Sequence, residues 1–421
     1  MKPVFFLLFV FCSLFTRATN YYVNPSSDST KEKGSIDNPW KTIASVNVSM
    51  KKFKAGDTIF LKRGELYFDR LVISCSGTVN APIVFTYYGS AASKPVFIFK
   101  AANAAPGYES IRLNKSQYVV IDGFEITDDT MDPEGHAHTA NVVAAIDIDA
   151  SSFISIKNMD ISLVGTGVSI NGDKNLVDKC NIKNLRMIRN TVGGSDDYGA
   201  NAIVISGADN TISNCFFKDC WGNSFDYTFY GGVIKISGTL ISNNKIQNNT
   251  AINCDGFMEI AGMENASLDN ILVLNNNIIN CDELVYVGAG GKYKINVNNL
   301  EFQGNNIINT ISRLPSPPSM ISIKTGEDAK GIVNLQDNIF WITSALNIAN
   351  ESQVSAGQLV HENNIYYMIS GKLNFRENES ESVINKDAEL LKKLASKHPN
   401  ISNIDQLPFL YLLKYADNFT R

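Results

Sequence analysis

Seven stretches of this chain place asparagine just ahead of an apolar run: KNMDISLVG (157–165), NCFFKDC (214–220), NNTAINC (248–254), NNNIINC (275–281), GNNIINT (304–310), DNIFWIT (337–343) and ENNIYYM (362–368). From 214 onward their starts are separated by 34, 27, 29, 33 and 25 residues. A constant core at variable spacing is the signature of a solenoid whose loops differ in length from coil to coil. Helical repeats do not fit, because apolar residues never recur at i, i+3, i+4 and i+7. A second series closes β-rich runs on glycine: VSING (168–172), VISG (204–207), IKISG (234–238), MEIAG (258–262) and VYVG (285–288). Glycine accepts the left-handed backbone that a tight corner requires. In a parallel stack, equal positions on successive coils lie about 4.8 Å apart. Corner asparagines then hydrogen-bond to their copies above and below, and the inward aliphatic residues form one continuous core.

These features predict an all-β chain, a single solenoid despite its 421 residues. The coil length, short strands and Asn-x-hydrophobic pattern resemble the right-handed parallel β-helix of the pectin-lyase-like superfamily. The segments YYVNP (21–25), NPWKTIASVN (38–47), KAGDTIFLKRGELY (54–67), SGTVNAPIVFTYYG (76–89) and KPVFI (94–98) extend the likeness toward the N-terminus. They are similar to the opening of secreted β-helix polysaccharide lyases and glycosidases. That likeness implies a short helix over residues 41–50 plugging the first coil, with Gly56-Asp57 turning into the first strand. It implies action on polysaccharide without fixing the reaction, since one fold hosts hydrolases, lyases, epimerases and non-enzymatic adhesins.

The ends and the composition set further bounds. Lys2, the apolar run Val4–Phe15 and Ala18 read as a secretory signal peptide over residues 1–18. The run is too short to span a bilayer, which takes roughly 20 residues. The expectation is a secreted or periplasmic monomer with no integral membrane span. A formal charge of −5 gives no reason to expect nucleic acid as a partner. The solenoid is expected over 19–370. Residues 371–421, with NKDAELLKKLASKHP reading as a helix ended near Pro399, are expected to cap its open end. Cys75, Cys180, Cys215, Cys220, Cys254 and Cys281 show neither a CxxC pair nor metal-ligand spacing, and read as small buried apolar residues.

The chemistry-bearing residues concentrate on three coils. Counting three residues back from Gly207, Gly238, Gly262 and Gly288 gives Val204, Lys235, Glu259 and Val285. Alternation turns Ile203, Ile205, Ile234, Ile236, Met258 and Ile260 inward, so Lys235 and Glu259 face outward on neighbouring coils. Asp197, Asp226 and Asp255 recur at offsets of 29 and 29, each ahead of its strand, with Asp196 beside the first. Stacked at one corner, they offer carboxyls about 5 Å apart, which suits glycoside hydrolysis with retention, or two steps apart, approaching the roughly 6.5–9.5 Å that suits inversion. The reading places Asp197 and Asp226 as the acid/base pair of a glycoside hydrolase, with Asp196, Asp255 and Glu259 tuning them or holding the sugar. The Asp196-Asp197 pair is similar to the paired aspartates of polygalacturonase-type β-helix hydrolases, although the other motifs of that family are absent. The alternative is β-elimination on a uronic acid, with Lys235 as base and Ca²⁺ held by the acids. A non-catalytic glycan-binding protein is the third reading. Tyr198, Trp221, Phe225, Tyr227, Phe229 and Tyr230 supply rings for sugar faces. His136 and His138, in MDPEGHAH (131–138), sit on a long insertion that reads as a lid over the substrate.

Overall fold

The computed structural model describes residues 18–99, 108–128, 142–261, 264–288, 294–309, 319–324, 333–342, 347–349, 358–368 and 383–384. One coil shows the plan. Strand Ser152–Lys157 belongs to sheet 1, Asp160–Ser162 to sheet 2 and Thr166–Asn171 to sheet 3, after which Leu176–Asp178 returns to sheet 1 one rung higher. Repetition builds three parallel sheets of 12, 12 and 10 strands among the described residues. The chain is a right-handed parallel β-helix, the hand that strand-crossover-strand connections adopt.

Side-chain alternation feeds one core. Ile59, Phe85, Ile121, Ile156, Val177, Ile212, Ile246, Val273, Phe302 and Leu335 succeed one another up sheet 1 and are buried. The corners explain the asparagines. Between sheets 1 and 2 the backbone turns left-handed at Asn158, Lys179, Asn214, Asn248, Asn275, Gly304, Asp337 and Asn363. Five of the seven quoted segments begin on this residue; KNMD and ENNI begin one residue before it. The residue that follows enters the core. There Asn249, Asn276, Asn305 and Asn338 each donate a backbone N–H to the side-chain oxygen of the next asparagine, ending on Asn364, at 2.9 Å every time. Their side-chain amides cap strand carbonyls, as Asn276 does for Ile246 at 2.9 Å. Asparagine is suited to both positions: its short amide tolerates the left-handed region and bonds the backbone locally.

The cysteines, scattered in sequence, stack in space. Cys215 occupies the ladder position, its N–H donating to Asn249 Oδ1 at 2.9 Å, and Cys180 N–H reaches Cys215 Sγ at 3.5 Å one rung below. Cys220, Cys254 and Cys281 each follow a left-handed residue at the corner between sheets 2 and 3. All six are free thiols and buried.

The helix Ile43–Ser49 forms where expected, N-capped by Thr42, and its Ile43 and Val46 enter the core at the bottom of the coil. Gly56-Asp57 leads into the second strand, Thr58–Lys62, because Asn20–Val23 already forms a strand and pairs beside it. At the far end the described strands continue past residue 370 to Val383–Ile384. Residues 1–17 of the expected leader and the helix expected over 385–399 lie outside the described residues. Among the described residues, no helix is long and apolar enough to cross a membrane.

Candidate functional site

Two excursions of the chain rise just before strands Asn201–Ile205 and Gly232–Ile236 of sheet 3. Each is a short antiparallel hairpin: Met187–Ile188 with Tyr198–Gly199, and Gly222–Ser224 with Thr228–Tyr230. The aspartates of SDDYG clasp the two together. Asp197 Oδ1 accepts the Asn190 N–H at 2.8 Å, and its Oδ2 accepts the Ser224 hydroxyl at 2.7 Å and the Phe225 N–H at 2.6 Å. In return, Asp226 Oδ2 accepts the N–H groups of Asp196 and Asp197 at 2.9 and 3.1 Å. Asp196 Oδ1 closes its own turn on Thr191 N–H at 3.0 Å. Carboxylate oxygens of all three lie within 4.8 Å of one another.

This geometry weighs against the expected acid/base role of Asp197, while Asp226 keeps its Oδ1 buried and without a hydrogen-bond partner among the described residues. Burial of the Asp197 carboxyl, which alone would raise its pKa, is outweighed by hydrogen bonds from Ser224 and from the N–H groups of Asn190, Phe225 and Asp226, leaving it below the usual aspartate value. A carboxylate with both oxygens engaged, and hard to protonate, is a poor proton donor to a leaving group. Asp197 through both oxygens, and Asp226 through Oδ2, hold the two hairpins together. The second offset of 29 does not carry structural equivalence to Asp255. Gly232 pairs with Asn201, and through the Ile234–Met258 pair it falls opposite Gly256. Asp255 therefore takes the ladder position of Gly231 and Ala200, away from that of Asp226 and Asp197.

A second group forms beside the hairpins on the outer face of sheet 3. Lys235 and Glu259 are paired across neighbouring strands and both point outward, with Nζ 3.4 Å from Oε2. Tyr230, at the foot of the second hairpin, joins them: its hydroxyl donates to Glu259 Oε2 at 2.6 Å and accepts from Lys235 Nζ. Burial first, then the Glu259 charge, pushes the Tyr230 phenol far above its ordinary value, so it stays protonated as a donor. Beside this triad opens a cavity of ≈ 180 Å³ bounded by Tyr230, Asp255, Glu259, Glu283 and Tyr286. Its floor is glycine. Gly231 and Gly232 lie at φ of +143° and +148°, and a Cβ on Gly231 would meet Ala200 O at 2.8 Å. Only glycine keeps this floor low and open.

Glu283 and Tyr286 are not among the residues expected from the sequence, and Val285, which the glycine count sets level with Glu259, is one residue out of register. Gly288 pairs with Ala261, so counting back from Gly262 and Gly288 as equivalents shifts the register by one. Val285 is buried opposite Met258, and Tyr286 stands outward beside Glu259. The alternation Val285-Tyr286-Val287 carried that signal. The expected rings cluster as well. Tyr227 lies 5.4 Å from Tyr230 between ring centroids and feels the charges of Asp226, Asp197, Glu259 and Asp196, which places it between the clasp and the cavity. Trp221 packs edge-on against Phe229 at 5.4 Å, and Arg189 lies 4.8 Å over Phe225. Tyr198, Phe225 and Tyr227 are exposed. His136 and His138 lie outside the described residues.

A family model for a right handed beta helix region matches residues 144–315. A lacto-N-biosidase of Bifidobacterium longum is 22% identical over 236 residues, which are 51% of this chain and 13% of that protein. The chain thus matches only a small part of that relative's length. Among solved structures, an exopolygalacturonase from Thermotoga maritima superimposes with a TM-score of 0.54 at 11% identity, covering 82% of this chain and 87% of that one. A rhamnogalacturonan lyase does so at 0.53 and 12% identity, covering 87% and 88%. At such identities the structural likeness is one of fold.

Proposed function

We propose that this right-handed parallel β-helix is a polysaccharide-degrading enzyme, and that it acts as a glycoside hydrolase at the cavity between Tyr230 and Tyr286. The observation that carries the reading is a carboxylate, Glu259, held by a phenol and an ammonium at the edge of a glycine-floored cavity that presents two more carboxyls. Hydrolysis needs one group that gives a proton to the leaving glycosidic oxygen and one that deprotonates water or attacks the anomeric carbon. Glu259, oriented by Tyr230, is assigned the second role. Asp255 or Glu283, one rung apart, supplies the first. Tyr227, Tyr230 and Tyr286 offer ring faces to sugars. The partial match to a lacto-N-biosidase supports action on a glycan.

Elimination remains the second reading because Lys235 stands beside the cavity as a base and lyases, the rhamnogalacturonan lyase among them, share the fold. Two features weigh against it. Lys235 is already engaged by Glu259 and Tyr230. The side chains around the cavity bring three carboxyls against one ammonium, and a polyuronide would need added cations such as Ca²⁺ to approach them. Purified protein incubated with a panel of neutral and acidic polysaccharides decides between the readings. Hydrolysis releases reducing ends without ultraviolet-absorbing product, and Glu259→Gln abolishes the release. An absorbing unsaturated product, lost on adding chelator and in Lys235→Met, would overturn the assignment. Secretion accords with this reading, and detection of the mature chain in culture supernatant tests it.

A further inference from the structure

Nine outward positions form one row up sheet 3, each paired in register with the next: Val72, Arg112, Asp147, Ser169, Val204, Lys235, Glu259, Tyr286 and Ser322. The cavity opens at Glu259 and Tyr286, with Lys235 beside Glu259. A second polar group occupies Arg112 to Ser169, at the N-terminal end of the same row. Arg112 donates to Asp149 Oδ2 at 2.8 Å and lies 3.7 Å from Asp147 Oδ2. Asn171 donates to Asp149 Oδ1 at 3.3 Å, and Arg70 pairs with Glu109 alongside. Burial raises the Asp147 carboxyl above its usual range although Arg112 draws it down.

Stability does not call for this group. Its ion pairs are largely buried, with side chains 16–35% exposed, so desolvation offsets much of their attraction, and an uncharged outer face would serve the fold as well. The row between the two groups, Ser169 and Val204, is low and carries no charge. Five rungs separate Arg112 from Glu259, roughly 24 Å of backbone rise. An extended glycan advances by nearly one rung per sugar, so a chain cleaved beside Glu259 passes over Val204 and Ser169 and reaches Arg112 several sugars away.

We propose that Arg112, Asp147, Asp149 and Asn171 form a distal subsite that grips the hydroxyls of a neutral sugar several units from the scissile bond, so that the enzyme favours long glycans. The proposal rests on the hydrolase reading for its reacting end. Vicinal hydroxyls match the group because they donate to Asp149 and Asp147 while accepting from Arg112 and the Asn171 amide.

The test compares hexasaccharides or longer with disaccharides or trisaccharides of whichever neutral glycan the native chain cleaves. Arg112→Lys keeps the charge and loses the planar fork. Val204→Trp leaves both polar groups intact and raises the floor between them. Each is expected to lower the long-to-short ratio of kcat/KM by about tenfold, the scale of one charged hydrogen bond, with unchanged melting temperature. Binding of the same oligosaccharides to a Glu259→Gln chain, followed by calorimetry, gives the same ratio without turnover. Ratios that match the native chain in both measurements would overturn the distal subsite while leaving the hydrolase reading in place. A native chain that neither cleaves nor binds any neutral glycan would overturn both.

Discussion

Two residues define the chemistry of the site in opposite ways. Tyr230 is partly buried, its phenol is kept protonated, and it is shared between Lys235 and Glu259. Tyr230→Phe preserves the ring packing on Tyr227 and removes only the hydroxyl. It is expected to reduce kcat by about 10- to 100-fold, the range for losing one positioned donor, with little change in melting temperature. An unchanged kcat would separate Tyr230 from the chemistry. Asp197 serves structure instead. Its folded pKa is depressed by the donors around it, so its stabilisation is fully present above the ordinary aspartate value of about 3.9 and is lost as pH falls through the folded value. Melting curves recorded from neutral to acidic pH should therefore decline more steeply for the native chain than for Asp197→Asn. The variant should begin less stable at neutral pH and lose less on acidification. Parallel curves would show that the clasp does not depend on this charge.

At the scale of the corner, the repeated unit is a left-handed residue followed by a buried asparagine. Removing Asn276 leaves the Asn249 N–H and the Ile246 carbonyl without partners inside the core. At about 1–3 kcal/mol for each unsatisfied buried group, Asn276→Ala is expected to cost about 2–6 kcal/mol in denaturant unfolding. Neighbouring Asn275 has φ of +55°, and Gly304 fills the same position one rung on. Asn275→Gly should be nearly neutral, whereas Asn275→Val should cost about 1–2 kcal/mol. Equal losses for the two would contradict the left-handed requirement. This unit is why the fold was legible in the sequence. Asparagine pairs before apolar runs record both a backbone conformation and a hydrogen-bond ladder, each fixed locally. Cys180 and Cys215 hid the same position because a thiol substitutes for the amide. The site was less legible because its register depends on bulges. Gly262 and Gly288 look equivalent, yet Gly288 pairs with Ala261, and of the two 29-residue offsets only the first joins residues that meet, Asp197 and Asp226. Lys235 and Glu259 were found because alternation on neighbouring strands leaves them only one direction to face.

For the whole molecule, the decisive quantity is the sign of the field along sheet 3. The chain carries a formal charge of −5, and the cavity adds three carboxyls against one ammonium. Around the distal group, Glu109, Asp147 and Asp149 face Arg70 and Arg112, again leaving an excess of negative charge. A groove of this sign repels polyanions over about one Debye length, roughly 8–10 Å near physiological salt, whereas an uncharged glycan meets no such barrier. Encounter with a neutral substrate should then respond weakly to ionic strength, since salt screens only interactions between net charges. With the glycan that the native chain degrades fastest, kcat/KM is expected to change less than about twofold as salt rises through a tenfold range, a span over which the Debye length shrinks about threefold. A polyuronide substrate would instead show strong acceleration with salt or divalent cations as the repulsion is screened. That outcome would move the assignment from hydrolysis by Glu259 to cation-assisted elimination at Lys235, because both readings use the same strands and differ in the charge that the groove must accept.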